Sequence, residues 1–302
     1  MGVNPPRSFR ESTGTMTQDD ASPITYWDYI HSPELLSLQG GVEGNEEALS
    51  HEEVVFITVH QVYELWFKLM LRDLVVARDL FAQDNVPDNE LAGACRLLRR
   101  LKITLDRCAS HFELVETITT RDYLEFRDKL FPANGGQSVQ FREVEILLGL
   151  DGDERIPYVT GGKFEDVLNE LDGNAGWSMK RLRARQADTP TFKHAALSWL
   201  HRTPINGSCP SDENDEAVVE KFISSFLEHR HKALSELSAR VATMAGSDEE
   251  RAALKRRYDS EITAAESFLR AQDIDEPAER QHTRRIRAAA LFIESYRELP
   301  LL

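Results

Sequence analysis

The chain has 302 residues, and its formal net charge is −15 because 51 acidic side chains outnumber 36 basic ones. This length can bury a substantial core, as one large domain or as two small ones. The negative charge argues against DNA, RNA or an anionic membrane as the main partner, because the protein surface would repel a polyanion.

The cysteines and the first segment of the chain indicate a compartment. Cys95, Cys108 and Cys209 are widely spaced and form no CxxC pair, a pattern that predicts neither a zinc site nor a disulfide framework. Residues 1–22 are polar and lack the apolar centre of a signal peptide, so we predict a flexible tail there. We expect no apolar run to approach the roughly 20 residues that span a bilayer. We therefore expect a cytoplasmic protein that does not bind membranes.

Signals typical of helix N-termini recur along the first half of the chain. The second of them opens a long apolar-periodic run that should reach about Phe81. In chain order the signals stand at Ser32-Pro33-Glu34, at Ser50–Glu53, at Pro87-Asp88, at Thr119–Asp122 and at Ser138, whose helix should run to about Leu150.

The second half of the chain continues the helical pattern. Residues 151–220 predict short helices joined by loops that contain Gly and Pro. Longer helices are expected over Asp212–Met244, over Ser247 to about Ala271 and near Ala288–Tyr296, the last of them after a basic stretch at Arg280–Arg287. Strand-like alternation and repeats are scarce, so we predict an all-α fold. Residues 23–302 would form a single helical domain of about eight to ten helices.

The segment FITVHQVYELW (56–66) places one histidine in an otherwise apolar helical stretch. On a helix, Phe56, His60, Tyr63 and Phe67 share one face. Two interpretations are open. The imidazole is either a core histidine whose hydrogen bonds are made within the protein, or the one polar group of an aromatic pocket, where it orients a flat ligand through a hydrogen bond. In the second interpretation Phe56, His60 and Tyr63 contact the ligand. One helix does not decide between the two.

The segment RDYLEFRD (121–128) places Tyr123 and Arg127 four residues apart, on one helical face beside Phe126. A guanidinium group can bond both oxygens of a carboxylate, and a phenol alongside adds a third donor. The alternative is an internal salt bridge between Arg127 and one of the 51 acidic residues.

The segment FLEHRHKALSEL (226–237) contains two histidines, His229 and His231. Two residues apart on a helix, they point to different faces and are poorly placed to hold one metal ion together. Either one alone could ligate a haem iron through Nε2, and either could equally be a surface histidine.

Taken together, these segments resemble the tryptophan 2,3-dioxygenase family. The most specific matches are an HQ-x-x-ELW segment, an EFRD segment and a QS-x-Q-[FY]-R-x-x-E segment, in that order. The resemblance covers roughly half of the chain and adds nothing specific over residues 151–220. It runs through TYWDYIHSPELLSLQ (25–39), HEEVVFITVHQVYELWFKLMLRDL (51–74), LVETITTRDYLEFRDKL (114–130) and GGQSVQFREVEILLG (135–149), and returns weakly at RHKALSEL (230–237) and LFIESYRELP (291–300).

The resemblance implies the family fold with a haem pocket between helices, and it assigns roles to the aromatic and polar residues. His60 would be the distal histidine that accepts a hydrogen bond from the indole N–H of the substrate, the role we also take as catalytic. Phe56 would pack against the indole ring. Tyr123 and Arg127 would bind the α-carboxylate.

The resemblance also implies haem b as the cofactor, with His231 as the proximal iron ligand and Ser138 as a further haem contact. In the family, tyrosines from the N-terminal segment of a neighbouring subunit help to close the pocket. Tyr26 and Tyr29 occupy the matching YxxY positions, which implies a homo-oligomer, most simply a tetramer.

One family segment is missing. A GTGGSSG sequence that folds over the substrate normally follows the proximal-ligand helix, but here Ser247–Ala271 predicts a charged helix instead. Arg284 or Arg285 either replaces its polar contact to the substrate or is helix-surface charge.

The implied activity is a haem-dependent oxygenase acting with O2 on C2/C3 of the indole ring of L-tryptophan or a substituted tryptophan. Insertion of both oxygen atoms would give an N-formylkynurenine-type product, as in a 2,3-dioxygenase. Insertion of one atom would give a hydroxylated or oxindole product, as in a monooxygenase. The alternatives are a haem-dependent hydroxylase of another aromatic amino acid such as L-tyrosine, a non-catalytic haem-binding sensor, or a haem-free helical interaction protein.

Overall fold

The computed structural model describes residues 24–131, 133, 135–152, 154, 164, 168, 176–243 and 247–295. Within these residues the chain is helical, with one isolated β-bridge and no β-strand, which confirms the all-α prediction. The predicted tail at 1–22 and most of 151–175 lie outside the described residues. The α-helices are α1 (Tyr26–Ile30), α2 (Ser32–Leu35), α3 (His51–Phe81), α4 (Asp88–Glu116), α5 (Thr120–Leu130), α6 (Val139–Leu148), α7 (Trp177–Ala187), α8 (Phe192–Arg202), α9 (Asp215–Ala242), α10 (Asp248–Leu269) and α11 (Pro277–Ser295), and short 3₁₀ helices cover Glu46–Ala48 and Gly135–Gln137.

The predicted N-terminal caps are confirmed at four helices. Ser50 Oγ accepts the backbone N–H of Glu53, and Thr119 Oγ1 accepts that of Asp122. Ser138 and Ser247 do the same for the helices that follow them. Each cap satisfies a backbone donor that has no partner within its own helix.

Two helix boundaries differ from the prediction. The N-cap of α2 is His31 in a left-handed conformation, so Ser32 is already helical. The basic stretch Arg280–Arg287 does not precede the last helix but belongs to it, because α11 begins at Pro277. Arg284, Arg285 and Arg287 pair with acidic side chains, and Arg280 donates to backbone oxygens, so their charge does not interrupt the helix.

The end of α6 shows why a glycine stands there. Gly149 caps the helix with φ +88°, a backbone conformation that other residues adopt at a cost. A Cβ atom at this position would lie 2.7 Å from Thr191 Oγ1 and 2.8 Å from Lys193 Cβ. The glycine therefore permits both the left-handed turn and the close approach of the segment that starts α8.

The chain divides into two compact units. The first comprises the described residues up to Gln61 together with Glu113–Phe131; the second comprises Val62–Phe112 and the described residues after Phe131. The long helices α3 and α4 each contribute to both units. In the second unit, one core cluster forms where α9, α10 and α11 pack together, and its buried members are Ile205, Val219, Ile223, Leu269, Ala288 and Ala289.

Helix α3 is long and apolar enough to cross a membrane by length and composition, which corrects our expectation that no segment would be. It nevertheless contains Asp73 and Arg78, two buried charges held in salt bridges to Arg100 and Asp188. Buried, paired charges and core side chains such as Leu74 are typical of a core helix. We therefore interpret α3 as a core helix.

Candidate functional site

An aromatic cluster in the first unit is centred on Phe56. The centroid of its ring lies 4.1 Å from that of His60, 5.5 Å from that of Phe126 and 6.2 Å from that of Tyr123. Tyr123 also meets Phe126 edge-on, with ring centroids 5.4 Å apart. The structure thus brings together the HQ-x-x-ELW and EFRD segments, and their rings form one continuous surface.

Helical spacing explains how the cluster is built. Phe56 and His60 stand four residues apart on α3, and Tyr123 and Phe126 stand three apart on α5, so each pair shares a helix face. Phe126 is fully buried and anchors α5. Arg127 follows it directly in the chain, is half-buried and stands one helical turn after Tyr123, a member of the cluster.

The hydrogen bond of His60 defines its tautomer. His60 Nδ1 lies 2.8 Å from the backbone oxygen of Phe56. A carbonyl oxygen only accepts, so Nδ1 must carry the proton and donate it. In the neutral ring, Nε2 then carries a lone pair and is a hydrogen-bond acceptor. This is the tautomer that an indole N–H donor requires.

Arg127 and Tyr123 keep their polar groups available. Within the part of the chain that the structure describes, neither the Arg127 guanidinium group nor the Tyr123 hydroxyl makes a hydrogen bond or ion pair. The internal salt bridge considered above for Arg127 is therefore not found among the described acidic residues. A half-buried arginine without an internal partner, one helical turn from a phenol, has the donor set expected for a carboxylate ligand.

Tyr63 lies in a different cluster, in the second unit. It is buried, and its hydroxyl donates a hydrogen bond of 3.1 Å to the backbone oxygen of Cys108. Its ring centroid lies 5.0 Å from that of His111 and 6.1 Å from that of Phe67. Burial raises the pKa of the Tyr63 phenol, so the group remains a neutral donor. Its role as a substrate contact stays a prediction.

Tyr26 and Tyr29 stand on α1 and are 71% and 77% exposed. Helix α1 begins at a capping box in which Thr25 accepts the backbone N–H of Asp28 and the Asp28 carboxylate accepts that of Thr25. This cap orders a helix of only five residues whose aromatic side chains project into solvent. Neither tyrosine reaches the Phe56 cluster as a described contact, and their role in a neighbouring pocket stays a prediction.

His231 lines a cleft of about 470 Å³ in the second unit, between α9 and α10. The apolar part of its lining is Leu227 and Ile262, and Lys232 stands beside the histidine. The rest of the lining is polar: Ser224, Glu228, Glu266 and Arg270. Among the described residues the His231 ring makes no hydrogen bond. His229, in contrast, donates from Nδ1 to the backbone oxygen of Ser225 at 2.7 Å and does not line the cleft.

These surroundings fit an iron that arrives inside a porphyrin. The described residues contain no group of three or more His, Cys, Asp or Glu side chains that could hold a bare metal ion. A porphyrin supplies four ligands itself and needs only an axial imidazole from the protein. His231 would offer that imidazole, and Lys232 would offer a cation for a propionate.

Ser138, the other predicted haem contact, is the N-terminal cap of a helix. Its Oγ accepts the backbone N–H of Phe141 at 3.1 Å and caps α6. In that geometry the hydroxyl proton can still be donated elsewhere. Its role toward a cofactor stays a prediction.

Arg284 and Arg285 both have acidic partners. Arg284 pairs with Glu216 at 2.8 Å, and Arg285 pairs with Asp215 at 3.2 Å. Arg285 is 4% exposed and also donates to the backbone oxygen of Ser208. These contacts give Arg285 a structural role, so the structure favours neither arginine as a replacement for the missing GTGGSSG segment.

Our sequence reasoning missed two polar contacts near the predicted motifs. In the first unit, Lys129 donates to the buried carboxylate of Glu53 at 3.0 Å. In the second unit, Gln140 donates to the Glu64 carboxylate at 2.7 Å. A helical projection places Glu53 three residues before Phe56 on the same face, and this was the signal available for the first contact.

Comparison with known proteins adds the family. The family model described as "Tryptophan 2,3-dioxygenase" matches residues 11–301. A protein of Sorangium cellulosum named "Tryptophan 2,3-dioxygenase" is 46% identical over 287 residues, which are 92% of this chain and 67% of that protein. A "Tryptophan 2,3-dioxygenase 2" of Ralstonia nicotianae is 44% identical over 288 residues, 93% of this chain and 75% of that protein.

A third relative, from Xanthomonas campestris pv. campestris, is named "Tryptophan 2,3-dioxygenase-like protein" and is 42% identical over 187 residues, 61% of this chain and 67% of that protein. The match spans almost all of the sequence. It therefore includes residues 151–220, in which we recognised no specific family motif. The ring cluster, the arginine beside it and this similarity lead to one conclusion: the chain belongs to the tryptophan 2,3-dioxygenase family.

Proposed function

We propose that this chain is a haem-dependent oxygenase that inserts oxygen from O2 into the indole C2–C3 bond of L-tryptophan as a 2,3-dioxygenase. The names of its relatives support this activity. Within the chain, one observation carries the proposal: Arg127 has no partner among the described residues and stands one turn from Tyr123, whose ring centroid lies 6.2 Å from that of Phe56. The family gives no support to a tyrosine hydroxylase or a haem sensor.

The ring cluster would bind the indole. Phe56 and Phe126 supply apolar ring surface that replaces water around the substrate. His60 Nε2 would accept the indole N–H, because Nδ1 already donates to the Phe56 carbonyl. This bond selects the ring orientation and requires a neutral imidazole.

The arginine and the phenol would bind the other end of the substrate. Arg127 can donate two parallel hydrogen bonds to the α-carboxylate, and Tyr123 can add a third. Holding both ends limits the rotation of the substrate, and this positioning lowers the entropic cost of reaching the transition state.

When bound, the haem would supply the iron at which O2 reacts. We propose His231 as its axial ligand, because His231 lines the α9–α10 cleft and His229 does not. The test is absorbance of the purified protein: His231→Ala should lose the haem or shift its Soret band, and His229→Ala should retain both. The reverse result would move the ligand by two residues.

We also propose a cytoplasmic homotetramer. The three cysteines are all unpaired, which suits a reducing compartment.

The segment around α1 and α2 exposes many large apolar side chains, as expected of a surface that a second copy covers. They include Ile24, Tyr26, Trp27, Tyr29, Leu36, Leu38 and Val42. Light scattering of Tyr26→Ser/Tyr29→Ser should show smaller assemblies than the wild type.

The reaction itself is tested by mass spectrometry of products from ferrous protein, L-tryptophan and ¹⁸O2. A dioxygenase incorporates two labelled atoms into an N-formylkynurenine product. One labelled atom in a hydroxylated or oxindole product would instead identify a monooxygenase, the outcome that the missing GTGGSSG segment makes worth testing. Absence of a Soret band in haem-supplemented protein would contradict both.

A further inference from the structure

An ion pair between a buried carboxylate and a partly exposed ammonium group closes one end of the helix contact that carries the ring cluster. Glu53, on α3, is 4% exposed, and its carboxylate lies 3.0 Å from Lys129 Nζ on α5. A carboxylate this buried requires a partner, because removal from water strongly disfavours an unpaired charge. Glu43, from the segment between α2 and α3, lies 3.7 Å from the same ammonium group. Lys129 thus joins three parts of the first unit.

The ion pair is in register with the candidate site. Glu53 precedes Phe56 by three residues on α3, and Lys129 follows Phe126 by three residues on α5. Each pair therefore shares a helix face. The α3–α5 contact accordingly has two adjoining layers: the ring layer, with Phe56 and Phe126 centroids 5.5 Å apart, and the ion-pair layer one turn beyond it.

From this arrangement we propose that Lys129 and Glu53 are positioning residues that set the register of α5 against α3. The inference rests on the proposed function, in which α3 presents the indole-binding residues and α5 presents Arg127. The ion pair would then determine the distance between the indole half and the carboxylate half of the site. Lys129 touches neither substrate nor cofactor and acts through Arg127, two residues away.

The physical reason is the different directionality of the two layers. Apolar ring contacts tolerate sliding and rotation because dispersion forces depend weakly on direction. A charge-assisted hydrogen bond to a buried carboxylate tolerates little displacement. Without the ion pair, Phe126 would still anchor α5, but the helix could rotate about that contact. Arg127 and Tyr123 would then move relative to His60.

Steady-state kinetics of the haem-loaded full chain test the proposal. Lys129→Met keeps most of the side chain and removes the charge, so we expect KM for L-tryptophan to rise about tenfold with a smaller change in kcat. Lys129→Arg can still reach Glu53 and should stay within about twofold of the wild type. Lys102→Met removes an exposed pair with Asp106 and serves as the matched control, which should leave KM unchanged.

A double variant separates positioning from stability. Lys129→Met alone leaves the Glu53 charge buried and unpaired, which also destabilises the fold. Glu53→Gln/Lys129→Met removes that charge and should bring the urea midpoint back toward the wild-type value while KM stays high. If KM returns to the wild-type value together with the midpoint, the pair is only structural and the proposal is wrong.

Arg127→Leu, measured in parallel, separates failure of the positioning role of Lys129 from failure of the proposed carboxylate site. If it raises KM and Lys129→Met does not, the positioning role fails while the proposed function stands. If Arg127→Leu leaves KM unchanged, the proposed carboxylate site itself is wrong.

Discussion

Arg127 in the first unit and Arg285 in the second show two uses of the same side chain. Arg285 is 4% exposed, pairs with Asp215 at 3.2 Å and donates to the backbone oxygens of Thr203 and Ser208. Arg127 is half-buried and, within the described chain, has no such partner. Arg285 is thus paired within the fold, although its Nε and Nη1 atoms are buried without a hydrogen-bond partner among the described residues. For Arg127, in contrast, we propose a partner from outside the fold, the substrate carboxylate.

His60 in the first unit and His201 in the second also differ in their surroundings. His60 donates from Nδ1 to a carbonyl of its own helix, so its tautomer is set for a ligand. His201 stacks on His282 with ring centroids 4.2 Å apart, close to Arg285. Burial lowers the pKa of His201, and the neighbouring His282 and Arg285 lower it further. The neighbours of His201 thus disfavour its charged form, whereas the Nδ1 hydrogen bond of His60 fixes the tautomer that the proposed indole contact needs.

Replacing Arg285 should have the largest effect on folding. Arg285→Met leaves Asp215 buried beside no cation, and breaking a buried pair in this way costs about 3–5 kcal/mol of unfolding free energy. Urea denaturation measures the loss. The double variant Arg285→Met/Asp215→Asn should recover part of it, because the unpaired charge is gone. A loss below about 1 kcal/mol for the single variant would place Arg285 among ordinary surface charges.

Replacing Arg127 should leave folding intact and weaken substrate binding. A buried bidentate contact to a charged group contributes about 2–4 kcal/mol, so Arg127→Leu should raise KM for L-tryptophan roughly 30- to 1,000-fold. Its urea midpoint and Soret band should match the wild type. Arg121→Leu, at an exposed position of the same helix, is the control. Equal activity of the wild type on tryptamine and L-tryptophan would contradict the role of Arg127.

His60 should have a smaller effect, because its bond is neutral. A neutral hydrogen bond contributes about 0.5–1.5 kcal/mol net, so His60→Ala should lower kcat/KM about tenfold and keep the haem. The wild type should discriminate against 1-methyltryptophan, which lacks the N–H, and the variant should discriminate less. Equal discrimination by both proteins would show that the hydrogen bond does not form.

His201 should produce the smallest effect, a pH dependence of stability. Because the folded-state pKa of His201 lies below the ordinary value of 6.5, the unfolded chain binds the proton more readily. The stabilisation by the neutral ring is therefore present above about pH 6.5 and is lost as the pH falls below it. His201→Gln should make the urea midpoint depend less on pH below about pH 6.5, because the proton that His201 takes up on unfolding is no longer involved.

The exposed His194 on the same helix provides the control for this experiment. His194→Gln should leave the pH dependence of the urea midpoint as it is in the wild type. An unchanged slope in His201→Gln would show that other groups are responsible for it.

The sequence by itself determined the helices and half of the site. Side chains at Ser50 and Thr119 cap their helices through bonds that reach only three residues along the chain, so a local pattern suffices to predict them. The shared face of Phe56 and His60 follows from the 3.6-residue period in the same way. The family follows from segments such as HQ-x-x-ELW, which are local too.

Only the tertiary structure decided which polar groups have partners. Lys129 and Glu53 are 76 residues apart, Tyr63 and Cys108 are 45 apart, and no period relates them. Tyr63 follows the face of His60 in the helical pattern, yet its hydroxyl binds the Cys108 carbonyl because α4 packs against α3 there. The sequence also left open whether Arg127 and Arg285 pair within the fold or contact the substrate. They differ because an ion pair depends on where distant helices meet, and that is decided by the packing of the whole fold.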